Sequence, residues 1–180
     1  MTKEDISAFT RRISQGNKSD IVVVLFDIYF AYEKDARQIL SEKDERKTLS
    51  EKDMGLELDE KDARQALNEK LQIVLRKANQ VVEHLKGDLD FTYEIAYQLY
   101  PLYDYVERCI SRAIYSQRKE PLDEASIVMN NLRDAFIEVA KADNSERQMR
   151  NVETVTAGYT YGRGSLNEIT DIDANRGFLA

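Results

Sequence analysis

The sequence predicts an all-α protein: an antiparallel up-and-down helical bundle of four main helices with loose N- and C-terminal segments. Three observations carry this. From Asp20 to Ala142, apolar residues recur at three- and four-residue spacing and never settle into the strict alternation of a half-buried strand. Prolines number 2, Pro101 and Pro121, so long helices can run uninterrupted. The periodic segments are joined by few residues, which favours antiparallel neighbours.

The chain of 180 residues suits one domain with a single core. Its expected divisions are a flexible leader over 1–18, a helical bundle over 19–142 and a Gly- and Tyr-containing tail over 143–180. Apolar residues make up 42%, enough for that core, and 33% are charged, so the exterior is heavily solvated. The net charge of −7 disfavours nucleic acid as a partner, since phosphate binding needs clustered Lys and Arg. No apolar run is long enough for membrane insertion, and MTKEDISAF lacks the apolar region of a signal peptide, so the expected location is cytoplasmic. A lone Cys109, with Tyr105 and Val106 on neighbouring helical positions, reads as a buried thiol in a reducing compartment.

In the leader only Phe9 and Ile13 form an apolar pair. Ser19 is placed to cap the first long helix, with Asp20 at its positive end. The stretch IVVVLFDIYFAYEKDA that follows is apolar almost all round: Ile21, Leu25 and Ile28 form one stripe and Val22, Phe26 and Tyr29 another. A helix of this kind is either central to the bundle or keeps one face for something else.

Residues 32–67 hold four tandem nonamers, YEKDARQIL, SEKDERKTL, SEKDMGLEL and DEKDARQAL. Nine residues turn a helix about two and a half times, so successive Leu residues face opposite ways and no single stripe joins them. The first nonamer is expected to end helix one. The fourth should begin helix two, with Asp59 as its cap, and the middle two should form a charged connector or frayed extension. The repeat is scaffolding with a solvated face. Helix two then runs from about Glu60 to Lys86 on a stripe from Leu67 to Leu85, and Gly87 closes it. The third helix, FTYEIAYQLYPLYDYVERCISRAIYSQ, is expected to kink at Pro101, which removes a hydrogen bond to Tyr97, or to begin its regular part there. The fourth, LDEASIVMNNLRDAFIEVAKA, starts behind Pro121, where a missing N–H does no harm. After Asn144 helical periodicity is lost.

No catalytic set can be assembled. The single histidine, His84, has Val81 three positions before it, so the Glu-x-x-His motif of metal-binding bundles is absent, and His84 reads as a surface or boundary residue. Gly162-Arg163-Gly164 lacks the Gly-Lys-Ser/Thr ending of a phosphate loop. The expectations are therefore no enzyme, no cofactor, no metal and no catalytic residue. Tyrosines are the informative feature: Tyr93, Tyr97 and Tyr100 share one helical face that Tyr103 continues. Spacing alone leaves two readings open, a half-buried boundary layer or a platform for another helix.

The run IAYQLYPLYDYVERCISRAI, followed by LDEASIVMNNLRDAF, resembles the most recognisable segment of the flagellar export chaperone FliS family. The matching stretches are Leu99 to Tyr105, Arg108 to Ala113, Leu122 to Glu124 and Leu132 to Phe136, with Phe136 where that family usually carries Trp. Leu25-Phe26-Asp27 is similar to the Leu-Tyr-Asp of the family's opening helix, and the likeness covers about residues 19–142. The leader lacks the usual tyrosine, the connector is longer and the tail is extra.

This resemblance implies a cytosolic chaperone whose bundle holds the C-terminal amphipathic helices of flagellin in an apolar groove. It would thereby prevent premature polymerisation and present the client to the flagellar export gate. The groove is expected on the outer faces of helices one and three, at Val22, Phe26, Tyr29, Tyr97, Tyr100 and Tyr103. One loose end, Phe9/Ile13 or Tyr159/Tyr161/Phe178, should dock over the empty groove and yield to the client. The alternative is a structural or adaptor bundle that self-associates or binds another scaffold through its tyrosine-rich face.

Overall fold

A computed structural model describes residues 1–50 and 57–148, which form five helices: α1 (Lys3–Gln15), α2 (Lys18–Ser50), α3 (Glu57–Gly87), α4 (Glu94–Ser116) and α5 (Glu120–Ala142). The last four are the expected bundle. They form a ring in which α2 borders α3 and α5, and α4 borders the same two, so α2 and α4 stand diagonally opposed. The inward stripes meet at the centre, where Phe26 and Tyr29 of α2, Leu71 and Leu75 of α3, Tyr103 and Ile110 of α4, and Leu122 and Met129 of α5 are buried. Cys109 is free and buried among them, as expected.

Several ends differ from the expectation. Where a flexible leader was expected, α1 stands as a helix of 13 residues closed by a capping box: the Thr2 hydroxyl accepts from the Asp5 N–H and the Asp5 carboxylate accepts from the Thr2 N–H. The cap of α2 is Asn17, not Ser19. The Asn17 amide oxygen accepts from the Asp20 N–H at 2.8 Å, and Asp20 accepts in return from the Asn17 N–H at 3.1 Å. Ser19 instead donates to Asp143, just past α5. The chain turns between α1 and α2 at Gly16, where a Cβ would lie 2.8 Å from the Asp20 Cβ, so a larger residue would push the cap apart.

The repeat is helical further than its first copy. α2 continues through the second nonamer to Ser50, and α3 begins at Glu57, two residues ahead of the Asp59 expected to cap it. Lys43 donates to Asn68 across the two helices and to Gln117 in the α4–α5 turn. That turn is therefore level with Lys43, and both arms of the α2–α3 hairpin extend beyond it. Residues 51–56, including Met54-Gly55, lie outside the described residues, as do the tail from 149 onward, its Gly162-Arg163-Gly164 and its aromatic residues. Pro101 lies inside α4, which runs through it from Glu94 to Ser116. Gln117 then takes a left-handed conformation (φ 54°), and its N–H closes the helix on the Ala113 carbonyl.

Polar groups fix which helices pair. On α2, Glu33 is buried and accepts from Arg37 and from Ser126 of α5, while Arg37 reaches on to Asp123 at 2.6 Å. On the far side of α5, Glu124 accepts from both Tyr105 and Arg112 of α4 at 2.8 Å. The Arg112 guanidinium and the Tyr105 phenol hold the Glu124 carboxyl below its ordinary value, and the same bond pushes the Tyr105 phenol up to about 12. Each contact is worth little where water reaches it, but a buried carboxylate tolerates only the partner that satisfies it, which ties the α2–α5 register to Ser126.

Candidate partner-binding surface

The six residues expected to line one groove do not lie together on the outside. Phe26 is 0% exposed and packs against Phe136 with ring centroids 5.5 Å apart. Tyr29 and Tyr103 are each 1% exposed, and burial pushes both phenols well above the ordinary tyrosine value. Val22 is half-buried against the core. Only Tyr97, at 64%, and Tyr100, at 43%, are open to solvent. The correction has a simple geometric cause. Helices one and three of the bundle are diagonal neighbours, so the stripes they share point at each other through the centre and cannot border one external channel. Tyr103 falls about 120° around α4 from Tyr97, beside buried Ala96, and so leaves the exposed face.

The outer face of α2 is the other stripe. Core positions Phe26, Tyr29, Glu33, Ala36 and Leu40 follow three- and four-residue steps; Asp20, Val24, Asp27, Ala31 and Asp35 do the same on the opposite side. Val24 is the residue that pattern reading missed. It is 1% exposed yet takes no part in the core cluster. It lies beside Arg12 and Gln15 of α1 and Ile137 and Ala140 of α5, and α1 runs back along this face. Arg12 of α1 binds Asp27 at 2.6 Å, and the amino group of Met1 meets Asp35, so α1 spans the face from one carboxylate to the other. Phe9 and Ile13 are both partly buried there, yet α1 has no fully buried residue of its own. A helix apolar all round thus resolves into a core stripe and a second stripe covered by a thin, separable helix.

Asp27 is the pivot of this surface. One of its oxygens takes Arg12 of α1 and the other takes Arg133 of α5 at 2.7 Å. Beside it, at the α1–α2 turn, a cleft of about 410 Å³ opens between Arg12, Gln15, Val23, Ile137 and Ala140. The segment after α5 closes the same end. Asp143 accepts from Ser19, the Asn17 side chain donates to the Asp143 carbonyl at 3.1 Å, and the Gln148 N–H donates to the Gly16 carbonyl at 3.2 Å. The Ser19 hydroxyl holds the Asp143 carboxyl below the ordinary range. No apolar periodicity marks Asp143 or Asp27 for these roles, because Ser19 and Arg133, the partners that join them to another helix of the bundle, are more than a hundred residues away.

On α4 the exposed tyrosines gather at the α3–α4 turn. Phe91 stands between Tyr97 and Tyr100, with ring centroids 5.2 Å and 5.9 Å away. This patch is separate from the outer face of α2, on the diagonal helix.

The described residues contain no group of three or more His, Cys, Asp or Glu residues placed to hold a metal ion, and no helix long and apolar enough to cross a membrane. His84 is exposed.

Comparison with known families gives a match over residues 56–143, which contain α3, α4 and α5, to the model described as "Flagellar protein FliS". No curated protein and no solved structure matches the chain.

Proposed function

Because the chain belongs to the family of flagellar protein FliS, a family of flagellar export chaperones, we propose that it shelters the C-terminal amphipathic helices of flagellin on the outer face of α2. In this reading the client groove is the stripe centred on Val24 and flanked by Ile21 and Ile28. In the empty protein α1 fills it. The client displaces α1, a shift between two occupants of one surface that leaves the bundle unchanged. The single observation that carries this is Val24: an outward-facing valine, 1% exposed, beside a helix that has no fully buried residue of its own. A terminal segment of flagellin that is amphipathic and unassembled would lay its apolar face in the same place, and its polymerising surface would be occupied. Delivery to the export gate belongs to the same proposal.

The acidic balance of the chain and its apolar outer stripe support this reading over a bundle that joins copies of itself. The test is co-purification of the full chain with a flagellin C-terminal fragment, followed by sedimentation. A one-to-one complex in which amide exchange of α1 speeds up and that of α3 stays slow is the expected result. A stable homodimer indifferent to the fragment would overturn it in favour of the adaptor.

A further inference from the structure

The aromatic patch at the α3–α4 turn is not used by the groove on α2, and it stands on the diagonally opposed helix. Phe91, Tyr93, Tyr97 and Tyr100 are all exposed, Tyr93 by 65%. Rings in such numbers on the outside of a small bundle are unusual, because each could bury its face in the core. They are held in place from below. The Lys86 ammonium lies 5.5 Å from the centroid of Tyr100 while it pairs with Glu107, and the turn itself is pinned by the Tyr93 N–H on the Asp90 carbonyl at 3.1 Å. The patch is therefore ordered before anything binds, which lowers the entropy cost of using it.

Its rim has one sign. Asp88, Asp90 and Glu94 are exposed around the rings and have no cationic partner among the described residues. The two cations nearest in sequence are already engaged, Lys86 by Glu107 and Arg108 by Asp104 at 3.2 Å. Ring faces carry negative potential, so carboxylates at their edge add to the same field. Lys86 on Tyr100 shows within this molecule that an ammonium seats on these rings.

We infer that this patch is a second docking surface, and that its partner is a protein segment presenting Lys or Arg side chains whose stems lie on Phe91 and Tyr97 while their charges meet Asp88, Asp90 and Glu94. This goes beyond the client groove and does not depend on it: the two surfaces share no residue. The segment would bind by stacked cations and apolar stems, and its affinity would fall with salt, since the rim charges are exposed.

The experiment uses the full chain and two synthetic helical peptides, one with Leu at three- and four-residue spacing and Lys at the positions between, and one with Glu in place of every Lys. Binding is followed by calorimetry and by tyrosine fluorescence, which no tryptophan obscures. The expected result is that the Lys peptide binds at least tenfold tighter than the Glu peptide. The Tyr97→Ser/Phe91→Ser chain should lose about tenfold for it, and the Asp88→Asn/Asp90→Asn/Glu94→Gln chain should lose both affinity and salt dependence. All these positions are exposed, so the variants should keep the helical spectrum of the parent. Equal binding of the two peptides, or Lys-peptide binding that ignores both sets of substitutions, overturns the inference. So does a parent dimer that Tyr97→Ser dissociates, because a second copy is then the occupant. Binding that appears only when the chain is cut after Gln148 also overturns it, since the tail then owns the patch.

Discussion

Removing residues 1–16 should tighten the binding of a flagellin C-terminal fragment, by an amount that the contacts of α1 set. Val24 lies between α1 and the Ile137 and Ala140 positions of α5, and burying such a side chain is worth about 1.5 kcal/mol at the low end of its range. Phe9 and Ile13 are each partly buried and add about 1 kcal/mol apiece. The Arg12–Asp27 pair, with Arg12 about half exposed, adds no more than about 0.5 kcal/mol. Against this gross figure of about 4 kcal/mol stands the cost of ordering a helix too short to be stable alone. A net closure of about 1–2 kcal/mol remains, and it weakens the apparent affinity by the fraction of molecules that are open. The shortened chain should therefore bind about 5- to 30-fold tighter. Calorimetry with both chains at matched salt measures it, with circular dichroism to show that the bundle is intact. Full-length Phe9→Ser/Ile13→Ser should move the same way by a smaller factor. If the shortened chain is folded and binds with unchanged or weaker affinity, α1 does not compete with the client and the assignment of the α2 groove fails.

Phe26→Ala should act on stability and not on the groove. A ring at 0% exposure against Phe136 costs about 3–5 kcal/mol when removed, so Tm should fall by roughly 10 °C while the folded protein keeps its affinity; a large loss of affinity without a Tm change would place Phe26 in the site after all. Arg37→Ala leaves the buried Glu33 with Ser126 as its remaining cross-helix partner, and should cost about 2 kcal/mol in a denaturant titration, with Glu33→Gln milder because it keeps hydrogen-bonding capacity. The Asp143–Ser19 clasp depends on pH in a stated direction. The folded value of Asp143 is depressed, so its contribution is present above the unfolded value of about 3.9 and is lost as pH falls through the folded one. Amide exchange at the α1–α2 turn should accelerate on acidification over that window in the parent, and be fast at every pH in Asp143→Ala.

Much of the fold was legible because it follows from local periodicity. The stripe of α3 from Leu67 to Leu85, the inward set of α4 and Pro121 in the first turn of α5 each show their facing and their start within a few residues. The buried thiol of Cys109 was legible for the same reason. Helix ends were less so. Ser19 and Asn17 both suit a cap, and only the return bond from Asp20 separates them. The leader holds too few apolar residues to signal a helix by pattern, and its Thr2–Asp5 box is a local polar signal outside that pattern. The expected groove was misplaced for a reason of another order. α2 carries two apolar stripes, and a sequence that is apolar on all sides contains no sign of which stripe faces in.

The sequence by itself determined that this chain is helical, how many long helices it has, that α2 has more apolar surface than one contact can cover, and that its likeness lies with FliS. These are properties of spacing along one strand of residues, and spacing is read locally. Only the tertiary structure decided that α2 and α4 are diagonal, which sends Phe26, Tyr29 and Tyr103 to the centre. The same arrangement leaves Val24 under α1 and the tyrosines of the α3–α4 turn in solvent. Those outcomes depend on which helix lies beside which. That choice is made by contacts such as Glu33 with Ser126 and Asp27 with Arg133, between residues about a hundred positions apart, where no periodicity reaches.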